Sequence, residues 1–118
     1  MSPKEPTFFM RSKIWIEDRD GNMIFGLGRY RILEAVNRLG SLHAASKELK
    51  MSYRGVWCKI KVSEERIGKP LLIRGKKGST ITPVAEKLMK QFRRIQSIVE
   101  SESNEMYQDL MQRELDNR

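Results

Sequence analysis

Between Gly40 and Gly68 the chain reads GSLHAASKELKMSYRGVWCKIKVSEERIG, two helix-length stretches with only Lys50-Met51 to turn between them. Ser41 and Ser52 stand where each stretch begins, and a serine hydroxyl there accepts from backbone N–H groups left free in the first turn. Leu42, Ala45 and Leu49 fall on one face of the first stretch at helical spacing. The small pair Ala44-Ala45 lets a second helix cross closely behind it. Val56, Trp57, Ile60, Glu64 and Ile67 follow in the second stretch, Gly68 is placed to close it in a left-handed conformation, and Pro70 stops any continuation. The pattern is that of a helix-turn-helix, whose second helix offers its free face to a DNA major groove.

Helical geometry assigns that face. Tyr53, Trp57, Ile60, Glu64 and Ile67 cluster on one side, so Gly55, Cys58, Lys59 and Val62 point away, with Arg54 and Lys61 at the edges. Gly55 costs a helix about 1 kcal/mol relative to alanine, which is sensible where something approaches the backbone closely; a tolerated surface glycine is the plainer alternative.

The flanking segments fit around this pair. Upstream, Lys13–Glu17 alternates as a strand, Met23-Ile24-Phe25 returns antiparallel to it, and Asp20-Gly21-Asn22 supplies the turn. Trp15 is expected to cover one side of the helical core, with a partner-facing aromatic as the alternative. A helix follows from Arg29 to Leu39, with Ile32, Leu33, Val36 and Leu39 as its apolar face. Gly26-x-Gly28 is half of a dinucleotide fingerprint, but Arg31 occupies the place of the third glycine and no βαβ unit follows. Gly68-Lys69 likewise lacks the upstream glycine of a phosphate loop.

Downstream, Leu71–Arg74 and Ser79–Thr82 flank Gly75-Lys76-Lys77-Gly78. Behind a helix-turn-helix such a hairpin is a wing, and its tip lysines are placed to reach phosphates. Thr82-Pro83 then starts a helix, a hydroxyl at the cap and proline at the first helical position, running towards Leu115. Leu88, Phe92, Ile95, Val99, Met106 and Leu110 make its apolar stripe, interrupted by Ser101-Glu102-Ser103-Asn104, where a kink or an end is expected. A helix this long on so small a body needs another partner for that stripe, most economically a second copy.

Charge agrees with this division. Residues 1–90 hold 19 basic and 9 acidic side chains, whereas 91–118 hold 4 and 6. A basic field over the reading elements and an acidic far end suit a polyanion-binding module with a separate association element. Cys58 is the only cysteine, so no internal disulfide forms and a reducing compartment is expected. Phe8-Phe9-Met10 is too short for a secretory signal, and no run approaches a membrane span, so a cytoplasmic protein without membrane contact is expected. His43, the only histidine, reads as a helix-surface or DNA-backbone residue; with one cysteine beside it no zinc cluster can be built.

With these elements in order the sequence resembles the DNA-binding half of the ModE-type molybdate-responsive regulators, which are similar to the winged heads of LysR-type regulators. The resemblance is carried by Gly28-Arg29, Leu33-Glu34-Ala35, Gly40-Ser41-Leu42, Ala44-Ala45 and above all Met51-Ser52-Tyr53-Arg54 followed by Trp57. Glu65-Arg66-Ile67-Gly68, Pro70-Leu71, Arg74 and Ile81-Thr82-Pro83 continue it, so that it covers roughly residues 13–92. It implies that Ser52, Tyr53 and Arg54 open the recognition helix, that the wing touches flanking DNA and that the last helix pairs two subunits. The GKKG tip is shorter than the family's glycine-rich wing. The family's molybdate-binding domain has no counterpart in these residues, so direct molybdate binding is not expected.

The expected fold is mainly α with small β-hairpins: a leader over 1–12 expected to be disordered, a winged helix-turn-helix over 13–82 with an N-terminal hairpin, and a dimerisation helix over 83–118. The expected function is a homodimeric, sequence-specific transcription regulator without an effector domain of its own, a cofactor or a metal, reading an inverted repeat in double-stranded DNA. Candidate DNA contacts are Ser41, His43, Ser52, Tyr53, Arg54, Gly55, Cys58, Lys59, Lys61, Arg74, Lys76, Lys77 and Thr80. A low-specificity architectural DNA-binding protein and a winged-helix protein-interaction module are the alternatives; an enzyme is not expected.

Overall fold

The structure is a computed structural model that describes residues 8–116; the part of the expected leader at 1–7 lies outside the described residues. In chain order it contains β1 (Trp15–Glu17), β2 (Met23–Gly26), α1 (Leu27–Leu39), α2 (Leu42–Glu48), α3 (Tyr53–Ile67), β3 (Leu72–Gly75), β4 (Gly78–Ile81), α4 (Pro83–Leu110) and α5 (Gln112–Asp116). Two compact units result, residues 14–92 and a smaller one that joins the N-terminal segment to residues from 93 onward.

In the larger unit β1 and β2 pair antiparallel with an irregularity between Ile16 and Glu17, and β3 and β4 pair antiparallel from Leu72↔Ile81 to Gly75↔Gly78. The helices form because local polar groups finish their ends. Ser41 Oγ accepts from Ala44 N at 3.1 Å, Ser52 Oγ from Gly55 N at 3.0 Å and Thr82 Oγ1 from Ala85 N at 3.1 Å. Each such cap is worth about 0.5–2 kcal/mol. Gly40 and Gly68 close α1 and α3 at φ 71° and 80°. The α2–α3 turn takes its left-handed residue from Lys50, φ 56°, with Met51 N donating to Ser46 O at 2.9 Å.

The core gathers Phe25 from β2, Ile32, Leu33 and Val36 from α1, Leu42 and Ala45 from α2, and Val56 and Ile60 from α3. Leu71, Ala85, Met89 and Phe92 complete it. Phe92 meets Phe25 edge-on at 5.3 Å between ring centroids and lies 6.0 Å from Tyr30.

Several expectations are corrected. Helix α1 begins at Leu27, not Arg29: Gly26 ends the strand in extended conformation and is itself the N-cap, so Gly28 falls in the first turn. Trp15 is 49 % exposed, because the two-stranded sheet leaves β1 open, and its indole N–H donates to Glu17 Oε1 at 2.7 Å. Phe92, expected in an inter-subunit stripe, is 4 % exposed within its own chain and so has almost no surface for a second copy; Leu88 packs against the same core. Ile95, Met106 and Leu110 remain exposed and Val99 is half-buried.

The run Ser101–Asn104 does not interrupt α4, which ends only at Leu110 before Met111 turns the chain into α5. In the smaller unit, residues 8–12 run antiparallel to α4 and are hydrogen-bonded to it. Gln96 Nε2 donates to Ser12 O at 3.1 Å, and Arg11 Nη1 donates to Glu100 Oε1 at 2.8 Å. Met10 N donates to Asn104 Oδ1 at 2.9 Å, and Gln108 Nε2 donates to Phe8 O at 2.8 Å. Gln96, Glu100, Asn104 and Gln108 recur every four residues, so one face of the helix carries the whole ladder. Two of its four rungs stand on or beside the polar run that was expected to break the helix.

Candidate nucleic-acid interface

The first turn of α3 presents Tyr53 and Arg54 to solvent, and Cys58 and Lys59 are exposed in the next turn. Among the described residues the Arg54 side chain makes no hydrogen bond or ion pair. The wing turns at Lys76-Lys77, both exposed, and Thr80 is exposed on β4. These residues, with His43 of α2, are cationic or hydrogen-bonding groups brought together by one folded unit. These are the side-chain types that contact a polyanion.

Other residues named from the sequence hold that surface together. The hydroxyls of Ser41 and Ser52 are taken up as helix caps. A Cβ at Gly55 would lie 2.9 Å from Ser52 Oγ, the end of a short side chain; Ala44 and Ala85 hold the equivalent position behind the Ser41 and Thr82 caps, so the cap by itself does not require glycine. Lys61 sits over the Trp57 ring, 5.6 Å from its centroid, and 3.4 Å from Glu64 Oε1.

Arg74 does not extend freely from β3. Its guanidinium lies 5.7 Å from the Tyr53 ring centroid and 5.9 Å from that of Trp57, and Nη2 donates to the Tyr53 hydroxyl. The His43 ring centroid lies 5.7 Å from that of Tyr53. An aromatic–cation cluster thus ties α2, α3 and the wing together. Such contacts are each worth about 0.5–1 kcal/mol at exposed sites.

Two further ties were missed from the sequence. Glu64 Oε2 accepts from Leu71 N at 2.6 Å and Leu72 N at 3.2 Å, joining the last turns of α3 to the start of the wing. Ser79 N donates to Gly40 O at 2.9 Å, fastening β4 to the α1–α2 corner. Glu64 was legible only as a polar residue on an apolar face. The backbone tie leaves no sequence signal beyond the glycines themselves.

Two arginines stand behind the first hairpin. Arg66 Nη1 donates to Met23 O, and Arg29 is partly buried beside it. Burial pushes the Arg29 pKa down, and the charge of Arg66 adds to that effect.

A sequence model described as "Bacterial regulatory helix-turn-helix protein, lysR family" matches residues 27–86, just over half of the chain. The chain belongs to that family. The matched LysR segment runs from the start of α1 into the first turn of α4, and therefore contains the helix pair and the wing. Solved structures, a LysR family transcriptional regulator, CbnR, among them, show the same fold. The CbnR DNA-binding domain in complex with DNA aligns with a TM-score of 0.60 at 21% identity, covering 72% of this chain and 98% of that one. The BenM DNA-binding domain on a benA site gives 0.58 at 23% identity, over 71% and 98%. ArgP from Mycobacterium tuberculosis gives 0.51 at 29% identity, over 64% and 28%, so the chain spans under a third of that longer protein. No curated protein matches the sequence. Among the described residues no helix is long and apolar enough to cross a membrane.

Proposed function

We propose that this chain is a sequence-specific transcription regulator that binds double-stranded DNA as a homodimer. The observation that carries the reading is the joint presentation of Tyr53 and Arg54 at the open end of α3 and of Lys76-Lys77 at the wing turn, within the LysR segment. N-terminal residues of a recognition helix reach base edges, while a lysine-tipped wing neutralises phosphates. The DNA complexes of the CbnR and BenM domains support this use of the fold. The work is that of a reader of DNA rather than a catalyst, in a cytoplasmic setting.

The second copy is supported by α4. Ile95, Ile98, Met106 and Leu110 are exposed on it. Lys87, Lys90, Arg93 and Arg94, against the single Glu86, occupy its first half, and Glu100, Glu102, Glu105 and Asp109 its second. Two such helices laid antiparallel put each basic half against an acidic one, and the resulting two-fold axis matches an inverted repeat. The finer likeness to ModE-type heads rests on Met51–Arg54 and Trp57 and brings no molybdate ligand to these residues.

Two variants separate the two modes of contact. Lys76→Ala with Lys77→Ala is expected to weaken all DNA about equally and flatten the logarithmic salt dependence by about 2. Arg54→Ala is expected to cost about 1–3 kcal/mol on the preferred site and far less on random DNA. Fluorescence anisotropy titrations at several salt concentrations measure both. An unchanged ratio of specific to random binding in Arg54→Ala removes Arg54 as a base reader.

A further inference from the structure

From the cluster of Arg74, Tyr53 and Trp57 we infer that Tyr53 reads DNA as a fixed hydrogen-bond donor. It selects a keto-bearing base, guanine or thymine, at one position of each half-site, and Arg74 is the positioning residue that makes it do so. The inference rests on the DNA-binding reading above and goes beyond it to the base selected.

A phenolic hydroxyl carries one donor hydrogen and accepts through its oxygen, and which capacity it offers a partner depends on what already occupies the other. Arg74 Nη2 donates to that oxygen, and the guanidinium lies against the Tyr53 ring. An arginine side chain has five donors and no acceptor, so it cannot take the hydroxyl hydrogen. The acceptor side of Tyr53 is filled, and the hydrogen must point elsewhere.

The residue is also held and open. His43 packs near the ring, with centroids 5.7 Å apart, yet 40 % of Tyr53 is exposed. Tyr53 is the first residue of α3, the end of a recognition helix that meets base edges. In the major groove the acceptors are guanine O6 and N7, adenine N7 and thymine O4, whereas adenine N6 and cytosine N4 are donors. Guanine O6 and thymine O4 stand where adenine and cytosine carry amino groups. Addressed to that position rather than to N7, which guanine and adenine both offer, a hydroxyl fixed as a donor separates keto from amino bases. An unfixed one turns round and accepts from an amino group just as well.

The test is selection of binding sites from a randomised duplex library by the 118-residue chain and three variants, each motif read column by column. Wild type is expected to show one half-site column enriched in G and T over A and C by about three- to tenfold, the range of one net hydrogen bond. Tyr53→Phe keeps the ring and should level that column while the others stand. Arg74→Met frees the acceptor side and should admit A and C to the same column. Arg74→Lys keeps a donor and should restore the keto preference. A merely structural role for Arg74 lowers binding across all columns and shifts none. An unchanged column in Tyr53→Phe, or a keto preference kept by Arg74→Met, overturns the inference. Failure of wild type to enrich any motif overturns the sequence-specific reading and this inference with it.

Discussion

Gly78 shows how a single residue can set the position of a whole element. Its φ of 129° is one that side-chain-bearing residues rarely adopt, and a Cβ there would lie 2.2 Å from Gly40 O. The neighbouring Ser79 N–H bonds that same carbonyl, so the two backbones cannot separate without losing the tie. Gly78→Ala is therefore expected to destabilise the chain by at least about 1–3 kcal/mol, by strain together with displacement of β4. Gly75, across the turn, is the control: its Cβ would meet only Gly78 O, at an ordinary 3.8 Å, so Gly75→Ala should stay within about 0.5 kcal/mol. Urea denaturation at a fixed protein concentration measures both. Equal stabilities would mean that β4 is not locked to the α1–α2 corner.

At the scale of elements, the ends of helices and turns are tied by carboxylates whose ionisation matters. Arg38 of α1 donates to Glu48 of α2, Nη1 to Oε1 at 2.9 Å, and to Glu34 on its own helix, Nε to Oε1 at 3.0 Å. That arginine bond holds the Glu48 carboxyl below its ordinary range. In the β1–β2 turn Asp18 accepts from Asn22 N and Asp20 N, both at 2.9 Å; the bonds from Asn22, backbone first, hold its carboxyl low. A carboxyl whose folded pKa is depressed contributes stability above its unfolded pKa and loses it as pH falls through the folded one. Both contributions are present at neutral pH and fade below roughly pH 4.5. Asp18→Asn with Glu48→Gln should therefore give a shallower acid decline of stability than wild type, read from melting temperatures at stepped pH. An identical acid limb would assign the decline to other groups.

The same elements show why some of this was legible in sequence. Ser41, Ser52, Thr82 and the closing glycines act on backbone three or four residues away, so type and spacing carry the whole message. The bonds that hold residues 8–12 to α4 span 84 to 100 positions, and no local pattern announces them. Arg74 illustrates the intermediate case. Its place in the wing was readable, but its turn back onto Tyr53 depends on where α3 ends up.

At the scale of the whole molecule the proposed pairing of two copies depends on which side chains α4 leaves free for it, and here the period of the stripe was an incomplete guide. A three-four spacing says that a face is apolar but not what covers it. Phe92, on that face, fills the core of its own chain, so Phe92→Ala should cost about 3–5 kcal/mol of stability whatever the oligomeric state. It is for that reason a poor probe of dimerisation. Ile95 and Ile98, 52 % and 53 % exposed, are the discriminating pair. Ile95→Asp with Ile98→Asp leaves the core of the chain intact, yet places two carboxylates in the proposed seam between copies. Burial of an unpaired carboxylate is costly enough to break a seam of this size. The double variant is expected to sediment as a monomer where wild type is a dimer. It should keep the wild-type helical signal, and bind an inverted-repeat site little better than random DNA. A single recognition helix reads only a few base pairs; two on a dyad read half-sites about 34 Å apart. A wild type that is monomeric at micromolar concentration, or a double variant that still dimerises, removes α4 as the dimer seam. A variant that is monomeric but still prefers the repeat removes dimerisation as the source of specificity.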